Sequence, residues 1–499
     1  MTIPSTSRRV GLLRSSRFSV PSRRETTELT GPVAAGLTGR LDLEELERAV
    51  ADGSIETVVT ALPDLYGRLV GKRINARFFL EEIAGHGMHV CDYLLACDME
   101  MDPTPGYAFT SWKSGYGDLR AAPDLGTLRV ATWQDRTAVV LCDSFDGQDE
   151  LIAVAPRTIL QRQLERVAKL GYSAKTGSEL EFFLFDDTYR EARDRAYRDL
   201  RTSGDYVEDY HILSSTFAEP ILGEIRRQVD SSAIPVEFSK GEWGPGQHEI
   251  NLRYAPALEM ADRHVIYKLA AKEIAAAAGA SITFMAKWHQ AHAGNSLHIH
   301  VSLWDEDDRP VFGPGEAVQG ERLAGTPVDA TPVFRGFLGG LLAHTRELAL
   351  FFAPTFNSYK RYRAGTFAPT AIAWSYDNRT AGLRVVGSGP SLRVESRIPG
   401  ADANPYLAYA ALLAAGLDGI ERNLDPGAAF EGDVYAAEGL PQIPRSMEEA
   451  IAELEGSRFA RDAFGDFVID HYLHFARTEL AAIHAQVSDA ERVRYFERV

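Results

Sequence analysis

Two carboxylates one residue apart give the first sign of chemistry. In Gly177-Ser178-Glu179-Leu180-Glu181-Phe182-Phe183-Leu184-Phe185, strand alternation puts Glu179 and Glu181 on one face of a very apolar segment. Burying like charges side by side is costly unless a cation neutralises them, and carboxylate clusters suit hard ions such as Mg²⁺ or Mn²⁺. Alone, E-x-E also describes a solvated edge. Ser296-Leu297-His298-Ile299-His300-Val301-Ser302 repeats the pattern with His298 and His300, although two satisfied histidines in a half-exposed strand would look the same. His289 and His292 lie close by, but no H-E-x-x-H or cysteine set supports zinc. Further on, Glu242 and Glu249 flank Gly244-Pro245-Gly246, a spacing that could fold both towards one point or make a surface hairpin.

Anions are the complementary signal. Tyr359-Lys360-Arg361-Tyr362-Arg363, Asn378-Arg379-Thr380-Ala381-Gly382-Leu383-Arg384 and Arg393-Val394-Glu395-Ser396-Arg397 concentrate guanidinium groups, which bind carboxylate and phosphate oxygens as forks. Interchain salt bridges are the plainer use of such clusters. The usual phosphate loop is absent: Gly67-Arg68-Leu69-Val70-Gly71-Lys72-Arg73 is a residue short and ends in Arg.

The elements that must position these groups are legible in part. Leu43–Ala51 reads as a helix with Asp42 as N-cap, beside strands at 57–60, 128–131 and 137–142, a small α+β unit. A helix opens at Pro156 and stops near Gly171; others cover Ala261–Gly279 and Pro405–Ile420, and helices dominate from Met447 onwards. Residues 1–40 are Ser/Thr/Arg-rich without apolar periodicity and read as a disordered tail, a transit peptide being the alternative. The net charge of −17 argues against a nucleic-acid or anionic-membrane partner. Three cysteines (Cys91, Cys97, Cys142) without metal-knuckle spacing suit a reducing cytoplasm, and no apolar run reaches the roughly 20 residues of a bilayer span.

In this order, from about Asp64 to Leu417, these segments resemble the glutamine synthetase family. The matches are G-x-E-x-E-F at Gly177, E-x-x-P-G-Q-x-E from Glu242 to Glu249, N-S-Y-K-R at Asn357–Arg361 and N-R-x-x-x-x-R at Asn378–Arg384. The resemblance implies an α+β architecture, with a small N-terminal β-grasp domain (41–145) and a large catalytic domain (150–499) of curved antiparallel sheet backed by helices. It implies two to three Mg²⁺ or Mn²⁺ per site, one on Glu181, Glu242 and Glu249 and another on Glu179, His298 and Glu395. Gly294, Arg361 and Arg397 would bind glutamate, and Glu237, Tyr254, Ser302 and Arg393 the nucleotide of ATP. Arg379 and Arg384 would stabilise the transferring phosphoryl group. Asp64, in Asp64-Leu65-Tyr66-Gly67, would reach a neighbouring subunit's site and take the acceptor's proton, so a homo-dodecamer with sites between subunits is expected.

Departures bear on the acceptor. Ammonium-using members of the family carry a glutamate before the Ala-Pro that follows N-S-Y-K-R; here Phe367 precedes Ala368-Pro369. Ala293-Gly294-Asn295-Ser296 replaces the usual N-G-S-G, and Pro390 replaces a nucleotide-side lysine. The expected activity is therefore a cytoplasmic ATP-dependent glutamate–amine ligase of nitrogen metabolism. It would form a γ-glutamyl amide from glutamate and a polyamine- or ethanolamine-class amine through γ-glutamyl phosphate, with Asp64 and Phe367 at the amine pocket. Ordinary glutamine synthetase and a non-catalytic relative are the alternatives. Asp98-Met99-Glu100-Met101-Asp102 could hold a polyamine's second ammonium or be a solvated loop.

Overall fold

The computed structural model describes residues 36–315 and 319–499, so the tail expected over 1–40 lies outside the described residues as far as position 35. The first helix, Leu43–Ala51, starts as its sequence demands. The Asp42 carboxylate accepts from the Glu45 N–H and Glu45 returns the bond, a capping box that stabilises a helix start by about 1 kcal/mol. Leu46, Ala49 and Val50 form its buried stripe.

Six strands follow: β1 (Thr57–Pro63), β2 (Leu69–Asn75), β3 (Met88–Cys91), β4 (Asp118–Pro123), β5 (Arg129–Val130) and β6 (Thr137–Phe145). They form one sheet in the order β2-β1-β6-β4-β3, with β5 paired to β6. The expected strands at 57–60 and 137–142 lie side by side and parallel, Thr57 opposite Thr137. The one expected over 128–131 shortens to two residues.

The second sheet carries the chemistry. Its strands are β7 (Ser173–Phe185), β8 (Val236–Gly241), β9 (Gln247–Leu252), β10 (Ala255–Pro256), β11 (Ser281–Thr283), β12 (Leu297–Trp304), β15 (Trp374–Tyr376), β16 (Leu383–Val386) and β17 (Arg393–Ser396); β13 (Glu321–Arg322) and β14 (Asp329–Ala330) pair apart. The order is β15-β16-β17-β12-β7-β9-β8, with β10 and β11 on the two ends of β7, and every pairing is antiparallel except β15 with β16. This curved sheet backed by helices is the architecture the sequence led us to expect.

One face of β7 belongs to the core: Leu180, Phe182 and Leu184 are fully buried. On that side Ser178 Oγ hydrogen-bonds Tyr409 Oη and lies 3.1 Å from His264 Nδ1, which ties the strand to two helices, Ala257–Ala277 and Pro405–Glu421. The first begins four residues before the expected Ala261, directly after Pro256. The second, entered through the Asn404 cap and Pro405, is apolar and buried nearly all round, as a central helix must be. It crosses the Pro332–His344 helix so closely that a Cβ on Gly419 would lie 2.0 Å from Gly336 O, and one on Gly340 2.0 Å from Ala415 O. Only glycine permits that approach.

Arg157, on the Pro156–Lys169 helix and 2% exposed, fastens this helical layer to the first sheet. Its guanidinium holds both Asp262 oxygens (3.1 and 3.0 Å), Asp124 at 2.6 Å and Asp143, while Tyr406 Oη donates to Asp262 at 2.7 Å. Removing a buried cation from three carboxylates leaves uncompensated charge, which costs about 3–5 kcal/mol. Arg157→Met should therefore lower the melting temperature by several degrees, more than Arg157→Lys, as read by scanning calorimetry. A parent-like melt for Arg157→Met would refute the fastening role.

Candidate active site

Sheet register decides which polar side chains meet. Glu181 on β7 stands opposite Glu249 on β9, and Glu179 opposite both Asn251 on β9 and His298 on β12. His300 stands opposite Glu395 on β17, and Glu395 opposite Arg384 on β16. Directly opposed residues share a face. The three dispersed motifs thus become one polar surface on the side of the sheet facing away from the helices.

Two cavities open on this surface and share Glu179, Phe238 and Asn251. The first, of about 330 Å³, is lined by Glu179, Glu181, Glu242, Glu249, His298, Gly294, Arg379, Arg384, Arg397 and Phe367. The second, of about 470 Å³, takes Glu237, Tyr254, Ser302 and Arg393, together with Pro390. Tyr254 and Trp304 lie near-parallel there, 21° apart with centroids at 6.3 Å, and offer aromatic faces to a planar ring.

Charge is arranged in two ways across the face. Around Glu179 and Glu395, cationic and imidazole groups win against burial. His298 Nδ1 lies 3.2 Å and His300 Nε2 2.8 Å from the Glu179 carboxylate, and these bonds hold it below the usual carboxylate range. Arg393 Nε donates to His300 Nδ1 at 3.1 Å, which fixes the His300 proton on Nε2. Arg397 and Arg384 (2.7 Å) grip Glu395, which Arg397 and the histidines hold down at about 2 against its burial. Around Glu181 the balance reverses. Burial, then the facing Glu242 carboxylate, push Glu181 up to about 8, although Ser296 N–H donates to it at 2.7 Å. Burial, with Glu179, Glu242 and Glu181 adding to it, raises Glu249 well above its ordinary value.

The donor set fits a divalent ion. Ligand atoms of Glu179, His298 and Glu395 lie within 4.8 Å of one another, as do those of Glu181, Glu249 and His298. His298 Nε2 is buried without a hydrogen-bond partner, and burial, then Arg397, push the ring down to about 4, which leaves it uncharged and free to ligate. Carboxylate oxygens with one imidazole suit Mg²⁺ or Mn²⁺.

Two residues, Glu242 and Arg361, sit differently from expectation. Glu242 lines the cavity but falls outside both close groups, and it is ion-paired with Lys240. Arg361 is 1% exposed and lines neither cavity: it donates to Ile398 O (2.7 Å), Arg397 O (2.9 Å) and Ser296 Oγ (2.9 Å), so it braces the arginine strand from behind. Its stem passes Gly294, where a Cβ would lie 2.7 Å from Arg361 Cγ, which explains the glycine. Asp64, 2% exposed, lines neither cavity of its own chain. Its carboxylate takes Tyr66 N–H, Arg68 N–H and Arg68 Nε (2.6 Å), and Arg68 continues to the carbonyls of Asp98 and Met99. The Asp98–Asp102 loop therefore keeps company with Asp64, away from the cavities.

Other contributors escaped sequence reasoning. Gln247 Nε2 bridges Glu181 (3.3 Å), Gly294 O and Asn295 Oδ1, and its place in the turn motif was the only available signal. Lys240, Asp209, Tyr210 and Trp243 also line the first cavity. Trp243 packs edge-on against Phe367, centroids 5.5 Å apart, and both rings are about half exposed at the cavity.

The chain is similar to known proteins over most of its length. Residues 153–495 match the family model for the glutamine synthetase catalytic domain. The chain is 48% identical over 465 residues to the γ-glutamylethanolamide synthetase of Streptomyces coelicolor, covering 93% of this chain and 98% of that one. It is 35% identical over 449 residues to a glutamate–isopropylamine ligase of a Pseudomonas species, covering 89% and 95%. A solved GmaS–ADP complex superposes with a TM-score of 0.78 at 28% identity, covering 91% of this chain and 99% of its own. Among the described residues no helix is long and apolar enough to cross a membrane.

The excess of carboxylate at Glu181 yields a prediction. Glu181→Gln keeps shape and replaces a carboxyl whose charged form burial and Glu242 disfavour, so the metal-free protein should melt no lower than the parent, while the rise in melting temperature on adding Mn²⁺ should shrink by at least half. A variant that still responds fully to Mn²⁺ would remove Glu181 from the cation site.

Proposed function

Because the chain belongs to the glutamine synthetase family, we propose that it is an ATP-dependent ligase that joins the γ-carboxylate of glutamate to a primary alkyl amine of the ethanolamine or polyamine class. Residues 41–145 are read as the small β-grasp domain and 150–499 as the catalytic domain. The observation that carries the acceptor is Phe367. An aromatic ring packed on Trp243 stands where ammonium-using relatives place a carboxylate. The two amine-ligase relatives, named for ethanolamide and isopropylamine products or substrates, support the same reading.

In this reading ATP enters the larger cavity, with its base between Tyr254 and Trp304 and its phosphates directed past Arg393 to the shared wall at Glu179. Glutamate occupies the smaller cavity near Gly294 and Arg397, whose orientation Arg361 supports from beneath the strand. A γ-carboxylate oxygen attacks the γ-phosphorus, ADP leaves, and γ-glutamyl phosphate remains. The amine nitrogen then attacks the acyl carbon, phosphate departs, and the nitrogen's proton passes to a base, assigned to Asp64 of an adjacent subunit. Glu181, Glu242 and Glu249, and Glu179, His298 and Glu395, would hold divalent ions, which would supply charge neutralisation for the phosphates. Arg379, exposed and without an ion pair among the described residues, is free to follow the transferring group, whereas Arg384 is already anchored to Glu395 and Asp377. Phosphoryl transfer needs mostly position and charge, which a cation-lined cup provides.

Phe367 removes a negative charge from the place where a small cation would be desolvated and deprotonated. It offers instead an apolar wall for methylenes and a ring face worth about 0.5–2 kcal/mol to an ammonium end. We expect kcat/KM for ethanolamine or putrescine to exceed that for ammonium by at least tenfold, and Phe367→Glu to narrow the gap. Preference for ammonium in the parent enzyme would return the protein to ordinary glutamine synthetase. Composite sites in a dodecamer, working in the cytoplasm, complete the reading. Mixing inactive Asp64→Ala and Glu181→Ala chains should restore measurable activity in re-formed oligomers, and continued silence would count against Asp64 crossing between subunits.

A further inference from the structure

Lys240 is the one lysine among the described residues that line the smaller cavity, and it stands among carboxylates. On β8 it is opposite Glu249. Its ammonium is ion-paired with Glu242, lies 3.7 Å from Asp209 Oδ1, and sits 4.5 Å from the centre of the Tyr210 ring. A single flexible cation therefore already touches two alternative seats.

The second seat is built into the fold. The loop carrying Asp209 is fastened to the turn between Glu242 and Glu249: Val207 bridges Pro245, Glu208 N–H donates to Glu242 O at 3.3 Å, and Tyr210 N–H donates to Gly241 O at 3.4 Å. Glu208, itself buried, accepts from Gly246 N–H at 3.1 Å. Asp209 thus rides on the same rigid unit as Glu242, and only the lysine side chain need move between them.

We propose that Lys240 is an internal placeholder for the divalent ion on Glu181, Glu242 and Glu249, and that its ammonium transfers to Asp209 and the Tyr210 face when the ion arrives. In the metal-free protein a resident cation then tempers the repulsion between Glu242 and its neighbouring glutamates. On metal binding Glu242 exchanges its ammonium for the ion, and Asp209 keeps the displaced charge from opposing it. Lys240 and Asp209 are positioning residues for the metal centre. The inference rests on the proposed assignment of those three glutamates.

The test is a double-mutant cycle read by calorimetric titration of the intact oligomer with Mn²⁺ alone, on the binding event that Glu181→Gln abolishes. Lys240→Met should tighten that event about fivefold and lower the melting temperature in EDTA. Asp209→Asn should weaken it about tenfold when Lys240 is present, less than twofold when Lys240 is Met, and Asp209→Glu should recover much of the loss. Equal weakening by Asp209→Asn in both backgrounds, or Lys240→Met with unchanged affinity and unchanged EDTA melt, overturns the proposal. If Lys240→Met does not fold, Lys240→Gln takes its place in the cycle. A titration that Glu181→Gln leaves untouched defeats the metal assignment itself, an outcome distinct from a flat cycle.

Discussion

Carboxylates on adjacent strands of a buried sheet repel one another, and that repulsion organises the catalytic half of this protein. Glu181 and Glu249 are forced into opposition by antiparallel register, with Glu179 two residues along the same face. Most of the carboxylates on this face have a positive or donating neighbour. Arg384 and Arg397 serve Glu395, His298 and His300 serve Glu179, Lys240 serves Glu242, and the Ser296 N–H with Gln247 serves Glu181. Glu181 and Glu249 remain the least compensated, their protons held well into the range where an ordinary carboxyl is ionised. A divalent ion would complete what the side chains leave undone.

Holding that face in register requires an unyielding back. Leu180, Phe182 and Leu184 of the same strand are fully buried; the Ala257–Ala277 helix packs on the strand, and Tyr409 bonds Ser178 to the Pro405–Glu421 helix. The glycine contacts of the latter helix with Pro332–His344 leave little room for it to shift. Alternation along one strand thus couples core packing to site chemistry, because a one-residue slip would turn Glu179 and Glu181 towards the helices and Leu180, Phe182 and Leu184 away from them.

This coupling explains what the sequence could reveal. Glu179, Glu181 and His298 were legible because period-two patterning converts spacing into a shared face, and Asp42, Pro156, Gly171 and Asn404 marked helix ends because caps are local chemistry. The Ala257 start was missed although Ala257-Leu258-Glu259-Met260, all strong helix formers, directly follow Pro256. Arg361 was read as a substrate ligand from its motif, yet its burial depends on the path of β17, which no local pattern encodes. Asp209 and Tyr210 gave no signal, since a loop far from Glu242 in sequence reaches the cavity only through backbone bonds to Gly241 and Glu242.

The division between strand and loop also bears on how an acceptor could change while the activation chemistry stays. Every proposed cation ligand except Glu242 lies on a strand paired on both sides or at its core edge, where substitution disturbs register and charge together. Phe367, Trp243 and Asp209 lie in connections between strands. Phe367 also adopts φ 58°, a left-handed conformation that costs a non-glycine residue on the order of 1–2 kcal/mol. The turn formed by the Thr366 hydroxyl and Arg363 O, at 2.7 Å, helps to hold it there. Backbone strain of this kind persists only where the surroundings enforce it, and here it accompanies the ring's place against Trp243 at the cavity. Under the proposed amine-ligase reading, the acceptor wall is thus a feature of loops, apart from the paired strands that carry the clustered carboxylates.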